Sequence, residues 1–256
     1  MQSTDSPKVS TYTLKNGNSS QLFGVHGAGG MLFFGNLISV LDNQVNFSIM
    51  QLDGLDRADT GPPNLNIIDL SNYYADDIEK LLTLGPTFVC GLYGPIVLET
   101  GQRLLERGVK VDALIIFDST APLLIDRPSL GPIKTVITNP VRKWLAIPDN
   151  LGFADWARRK LRTKQIHQPS KNIFSRINGE LVKNYTPKRY PGLIWLIRSE
   201  QFAAKPSKNK HLVRWSKITN QLEVAHTSGT HHTMWEKPHL ANFGETINKI
   251  VSDKKK

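Results

Sequence analysis

Polar residues that could do chemistry follow several apolar runs of this sequence. The first run ends at His26, which Gly27, Ala28 and two further glycines follow. Glycines let the backbone turn sharply and leave N–H groups free at the start of a helix, where they can bind an oxygen anion. This segment predicts an anion-binding turn, with His26 as a structural hydrogen-bonding residue rather than a base. The G-x-G-x-x-G spacing of dinucleotide-binding turns is absent.

The second segment, "FVCGLYGPIVLETG", is a strand-like run that meets a glycine, a turn and a helical pattern. Hydrolases display a nucleophilic serine at such a strand-to-helix turn. Here Tyr93 stands at that position, and no serine or threonine lies between Thr87 and Thr100. Cys90 lies on the strand itself and is predicted to be a core thiol, not a substitute nucleophile.

Two more segments carry an acid and a cluster of histidines. Asp118 follows the apolar run "LIIF", and Glu200 follows a later one. The loop after the last predicted strand carries His226, His231, His232 and His239. No pair of these histidines has the helical i, i+4 spacing with a glutamate between, and no cysteine assists. We therefore predict no metal site.

Predicted strands and helices alternate along the sequence, and these segments lie between them. Predicted strands are Gln21–Val25, Phe47–Leu52, Thr87–Cys90, Ala113–Phe117, Leu193–Ile197 and Leu222–Val224. Apolar residues recur with a helical period between Leu70 and Leu82 and between Leu240 and Val251, and Met31 opens another helix. This alternation predicts an α/β fold, a mostly parallel sheet with helices on both faces. In such sheets ligands bind at the carboxyl ends of the strands.

One stretch, residues 127–190, breaks the alternation with prolines and amphipathic pieces but no clear strand. It is too long for a connecting loop, so we predict a helical lid insertion within a single domain of residues 1–256. Its Trp144 and Trp156 either pack on the core or cap a substrate pocket. Basic residues in it far outnumber acidic ones.

Composition limits the class of protein. The chain has 256 residues, of which 39% are hydrophobic, and a single cysteine, which fits a reducing compartment. Its start lacks the apolar core of a signal peptide, and no run approaches the roughly 20 apolar residues that cross a bilayer. These features predict a cytoplasmic protein that does not bind membranes. The charge of +10 attracts acidic partners, but no nucleic-acid-binding motif accompanies it.

Taken together, the segments resemble the thioesterase domains of nonribosomal peptide synthetases and polyketide synthases and their stand-alone relatives. The matching motifs are "FGVHGAGG", "GPTFVCGLY", "LLERGVKVDALIIFDSTAP" and "GTHHTMWEKPH". The resemblance implies an α/β-hydrolase fold with a serine–aspartate–histidine triad. It places the histidine on His231 rather than His232 and the acid on Asp118, with Glu200 as the alternative.

The same resemblance implies that the backbone N–H groups of Ala28 and Gly94 form the oxyanion hole. His26, Gly27, Trp144 and Trp156 are expected to contact substrate. The departure is the nucleophile, because Tyr93 occupies the place of the serine in a turn about two residues short. Tyr93 could attack covalently, act as a general acid or hydrogen-bond donor beside His231, or plug the pocket.

The resemblance implies a substrate held as a thioester on the phosphopantetheine of an acyl or peptidyl carrier protein, with no cofactor of the enzyme's own. One expectation is a divergent thioesterase that releases, cyclises or edits the acyl chain without a serine nucleophile. The alternative is an inactive pseudoenzyme that binds a carrier protein or its product. Carrier proteins of this kind are acidic, which suits a basic insertion. A nucleic-acid or membrane-binding role rests on charge alone.

Overall fold

A computed structural model describes residues 9–26, 31–52, 65–122, 172–204 and 206–252. Gly27 and Ala28 lie outside the described residues, as do Trp144, Trp156 and most of the predicted lid insertion. The part of that insertion inside the described ranges, from residue 172 onward, contains one helix and no strand, and the helical lid insertion itself stays a prediction.

The described strands form one seven-stranded sheet in the order β1-β3-β2-β4-β5-β6-β7. The strands are β1 Val9–Lys15, β2 Ser20–Val25, β3 Val45–Leu52, β4 Thr87–Gly91, β5 Ala113–Phe117, β6 Leu193–Ser199 and β7 Gln221–Thr227. Every neighbouring pair is parallel except β1 and β3, which are antiparallel. The predicted mostly parallel sheet is confirmed, and the antiparallel edge strand β1 is an addition to it.

Helices cover both faces of the sheet. They are α1 Met31–Leu37, α2 Ile67–Leu81, α3 Gly94–Glu106, α4 Asn172–Leu181, α5 Glu200–Ala204, α6 Pro206–Ile218 and α7 Leu240–Ser252. Alternate residues of β5 enter two separate cores: Leu114 and Ile116 pack with α2, α3, α4 and α6, whereas Ile115 and Phe117 pack with α1 and α7. Because both faces are buried, the central strands are continuously apolar, as the sequence pattern indicates. None of the helices in the described ranges has the length and apolar composition of a membrane span.

Because the strands are parallel, the polar residues that follow them lie at one edge of the sheet. His26 follows β2, Tyr93 follows β4 after one intervening residue, Asp118 follows β5, and the loop with His231 follows β7. The strands β4, β5, β6 and β7 are consecutive neighbours, so Tyr93, Asp118 and the histidine loop reach the same region.

Candidate active site

Asp118 and His231 meet at the carboxyl edge of the sheet. The Nδ1 atom of His231 lies 3.4 Å from Oδ2 of Asp118. The Asp118 side chain is fully buried, whereas the side chain of His231 is 44% exposed. A carboxylate beside Nδ1 orients the ring and stabilises its protonated form, which leaves Nε2 to exchange a proton with a bound molecule. This arrangement could serve as a histidine base with an orienting acid.

The backbone and the end of β6 hold Asp118 in place. Asp118 has φ 47°, a left-handed conformation that is uncommon for a residue other than glycine. Its carboxylate accepts the backbone N–H of Ser199 at 2.9 Å and the hydroxyl of Ser199 at 2.6 Å. The buried Arg198 guanidinium adds a favourable charge, and burial lowers its own pKa while Asp118 opposes that shift. The carboxylate is therefore fixed before any substrate binds.

Glu200, the alternative acid, has a different partner. It is exposed, and its Oε2 accepts the backbone N–H of Gly229 at 3.4 Å. The nearby histidines are also engaged elsewhere: the ring of His232 packs edge-on against that of His231, and Nδ1 of His239 lies 3.0 Å from Oγ of Ser228. Within the described ranges, no three His, Cys, Asp or Glu side chains are grouped to hold a metal ion.

The junction of β4 and α3 has the predicted strand-to-helix order but not a strained turn. Tyr93 is the N-cap of α3 with φ −102° and ψ 90°, an extended conformation that any residue adopts. Gly94 and Pro95 then begin the helix directly, and proline suits this first turn because its missing N–H has no helical partner there. Tyr93 therefore lacks the strained backbone of a residue at the sharp turn that exposes a nucleophile in hydrolases.

The hydroxyl of Tyr93 points to another element. It donates a hydrogen bond to the backbone carbonyl of Asn178 on α4 at 2.9 Å. Burial raises the pKa of Tyr93 to about 12, so the phenol keeps its proton at neutral pH. A protonated phenol that already donates its hydrogen is a poor nucleophile. This geometry supports the interpretation of Tyr93 as a wall of the pocket, and its predicted catalytic role stays a prediction.

The backbone N–H of Gly94, predicted to bind the oxyanion, has a partner within the protein. It donates to the hydroxyl oxygen of Ser119 at 2.8 Å. Ser119 is buried, and its backbone carbonyl accepts the indole N–H of Trp215. A hydroxyl oxygen therefore occupies the anion-binding position at the start of α3. Gly94 can serve an oxyanion only after the Ser119 side chain rotates away.

Gly94 is also the residue that the packing here requires. A Cβ added to it would lie 2.7 Å from Cζ2 of Trp215 and 3.0 Å from Oγ of Ser119. Because the indole is buried and rigid, we expect Gly94→Ala to lower the free energy of unfolding by about 1–3 kcal/mol. Gly179→Ala on α4 is the matched control, since nothing lies within 4 Å of its added Cβ. Helix propensity predicts that the control stabilises by about 0.5–1 kcal/mol in urea denaturation; equal effects of the two substitutions would contradict this packing account.

Two cavities meet at Tyr93. The first, here called the histidine cavity, has a volume of about 420 Å³ and is lined by Asp118, Ser119 and His231 among others. The second, the arginine cavity, has a volume of about 590 Å³ and carries Arg214 on its wall. Tyr93 and Thr120 line both cavities. Each volume falls in the range of small-molecule sites, so His231 faces space that a small molecule could fill.

The remaining predicted residues are only partly described. His26 is buried, and its backbone carbonyl accepts the hydroxyl of Tyr74 at 2.8 Å, which fits a structural residue. Its predicted contact with substrate stays a prediction. The sequence reasoning missed Ser119 and Ser199, which contact the predicted residues Gly94 and Asp118. A signal existed, because both serines lie at the carboxyl ends of neighbouring strands.

The chain shares its fold with known proteins at low sequence identity. No family model matches the chain. The structure is similar to the wild-type Vlm2 thioesterase domain, with a TM-score of 0.65 and 18% identity over 96% of this chain and 99% of that domain. It is also similar to the NocB thioesterase domain from the nocardicin cluster, with a TM-score of 0.60 and 18% identity over 94% and 97% of the two chains.

Among curated proteins, the chain is similar to orsellinic acid synthase armB of Armillaria mellea, with 24% identity over 211 residues. The match covers 73% of this chain but only 9% of that much longer protein. The structural similarities define the class: the chain has an α/β-hydrolase fold. More particularly, it has the version of this fold found in the thioesterase domains named above.

Proposed function

We propose that this protein is a thioesterase-like enzyme that releases, cyclises or edits an acyl or peptidyl chain held as a thioester on a carrier protein. The observation that carries the proposal is the pairing of His231 with the buried Asp118 at the histidine cavity. The thioesterase domains with the same fold support the substrate class. A relaxed turn with a protonated tyrosine supports a reaction without a nucleophile from that turn.

In the proposed reaction His231 is a general base. Its Nε2 removes a proton from water, or from a hydroxyl or amine of the bound chain, as that group attacks the thioester carbonyl carbon. The carbon–sulfur bond then breaks, and the imidazolium returns the proton to the departing thiolate. Asp118 stabilises the positive charge that His231 carries between these two steps. Water as the attacking group gives hydrolysis, and the chain's own group gives cyclisation.

The oxyanion that forms in this reaction needs hydrogen-bond donors. Ala28 is proposed to supply a backbone N–H group directly, as the family resemblance implies, and Gly94 to act through the Ser119 hydroxyl to which its N–H donates. The Ser119 hydroxyl, which accepts from Gly94, has a proton of its own and reaches the carbonyl of Thr120 only at 3.5 Å. We propose that the Ser119 hydroxyl donates this proton in a hydrogen bond to the oxyanion while its oxygen still accepts from Gly94. Ser119 then links the N-terminus of α3 to the histidine cavity.

A carrier protein is the proposed macromolecular partner. The excess of basic residues between positions 127 and 190 supports it, because a basic surface attracts an acidic carrier protein at long range. Such an interaction weakens as ionic strength rises. Titration of the protein with an acidic acyl carrier protein should therefore show a lower affinity in higher salt. Salt-independent binding, or none, would contradict the proposed partner.

Two contacts favour a second candidate, an inactive protein that binds a carrier protein or its product. The Tyr93 hydroxyl is bonded to Asn178, and the N–H of Gly94 is bonded to Ser119. If these bonds persist when a thioester is bound and the Ser119 hydroxyl does not turn to the substrate, the site has a base but no oxyanion donor at α3. In that case binding is retained and turnover is absent.

The experiment that separates the candidates uses acyl-pantetheine thioesters of varied chains. Thiol release reports cleavage, and the mass of the product distinguishes hydrolysis from cyclisation. The proposed enzyme releases thiol from at least one chain class above the buffer rate. Binding of these chains, measured with non-cleavable amide analogues, without thiol release from any of them would establish the inactive protein instead.

Tyr93→Phe tests whether the phenol hydroxyl takes part. Because that hydroxyl donates to Asn178, its loss should cost about 1 kcal/mol of stability. We expect turnover to change less than about threefold, since the ring that lines both cavities is kept. A decrease of about 10²-fold or more, with the fold intact by circular dichroism, would instead assign Tyr93 a general-acid role.

A further inference from the structure

The arginine cavity combines an apolar wall with one cation. Pro95, Ala121, Pro122 and Val182 supply much of the wall. Arg214, on α6, is the charged member among the described residues that line it. The other polar members, including Thr120 and Asn184, are neutral. Such a lining suits a molecule with an apolar body and an acidic end.

Arg214 has no partner for its charge within the described part of the chain. It takes part in no ion pair or hydrogen bond there, although it is partly buried. Glu99, which contacts the cavity-lining Tyr185, has other partners: it accepts the hydroxyl of Tyr185 at 2.7 Å and pairs with Arg103 at 2.5 Å. A partly buried guanidinium that no described acid neutralises suits a carboxylate, because its fork of N–H donors matches the two oxygens.

The position of this cavity connects it to the chemistry. It shares Tyr93 and Thr120 with the histidine cavity, so the two cavities are adjacent and an extended molecule that passes Tyr93 would reach from one to the other. When the thioester carbonyl lies beside His231, the rest of the acyl chain passes Tyr93 and ends at Arg214. The volume of about 590 Å³ is enough for a chain of several carbons rather than a short acyl group.

We infer that the arginine cavity binds the distal end of an acyl chain that bears a carboxylate, with Arg214 as its counter-ion. This inference rests on the proposed thioesterase function and names the substrate class of that site. A phosphate of the pantetheine arm shares the anionic chemistry. The apolar wall favours the carboxylate source, because a hydrocarbon stem gains from burial there and the amide-rich arm does not.

The test measures binding with non-cleavable pantetheine amides by calorimetry. Two probes have acyl chains of equal length that end in a carboxylate or in a carboxamide, which has the same shape without the charge. Wild type should bind the carboxylate about tenfold more tightly, the value of one charge-assisted contact at a partly exposed site. Arg214→Gln should bind both probes equally. Lys217→Gln, an equal charge change at an exposed position of the same helix, should keep the preference.

Equal affinity of wild type for the two probes would overturn the inference, as would a preference that survives Arg214→Gln. A third probe, phosphorylated on the pantetheine arm and ending in the carboxamide, tests the other source of anion. Its tighter binding, lost in Arg214→Gln, would assign Arg214 to the arm. Turnover of neutral acyl thioesters without any carboxylate preference defeats this inference and leaves the proposed function standing. Carboxylate binding without turnover of the matching thioester defeats the proposed function instead.

Discussion

Replacing His231 by alanine should lower the turnover of an accepted acyl thioester by about 10²- to 10⁴-fold, the range for loss of a general base. No other described side chain combines a partner carboxylate with a place on the histidine cavity in the same way. The substitution should leave the fold intact. The ring is half exposed, and the bond from the indole N–H of Trp235 goes to the backbone carbonyl of His231, which alanine keeps.

His232→Ala is the matched control for that measurement. His232 is exposed, lines the same cavity and packs edge-on against His231, but no acid pairs with it among the described residues. Its removal should change kcat less than about threefold, because the base and its acid both remain. If His232→Ala were the damaging substitution and His231→Ala the silent one, the assignment of the base would be wrong.

Replacing Asp118 by asparagine should affect both the rate and the stability. The amide keeps one acceptor for Ser199 but removes the charge beside Nδ1 of His231, so turnover should decrease by about 10²- to 10⁴-fold. The buried bonds to Ser199 are weakened as well, which should cost about 1–3 kcal/mol of stability. Steady-state kinetics and urea denaturation on the same samples separate the two effects.

Glu200→Gln provides the comparison for Asp118→Asn. Glu200 is exposed and accepts only a long bond from Gly229, so its neutral variant should retain turnover within about threefold. A larger loss in Glu200→Gln than in Asp118→Asn would transfer the orienting role to the acid that follows β6. Full turnover by the Asp118→Asn variant would show that this carboxylate has no orienting role.

The apolar runs were sufficient to predict most of the sheet, because buried parallel strands are apolar on both faces. Each of the predicted strands lies within the observed one, from β2 to β7. The edge strand β1 was missed because it is half exposed and polar, with Tyr12 at 46% exposure. Helix α6 was missed because its apolar residues do not mark one face: Val213 is exposed like Ser216 and Lys217, and only Trp215 and Ile218 of its described side chains are fully buried.

Some features of the site could be predicted from the sequence pattern, whereas others depend on contacts between elements that are distant in the sequence. Asp118 and His231 follow strands of one sheet, so their meeting could be predicted, and the structure brings them together. The relaxed conformation of Tyr93 and the bond from Gly94 to Ser119 could not, because each depends on how a helix start packs against a neighbouring loop. The proposed role of Arg214 could not be predicted for a similar reason, since it rests on the absence of an ion-pair partner among the described residues.

The central claim is that thioester cleavage here proceeds by base catalysis without a covalent intermediate on the protein. It is tested most directly by rapid quenching during steady thiol release, followed by intact-protein mass spectrometry. The account predicts continuing thiol release with the protein mass unchanged, and loss of that release in His231→Ala. An acyl adduct that forms and decays at the rate of turnover, on Tyr93, on Ser119 or elsewhere, would contradict it.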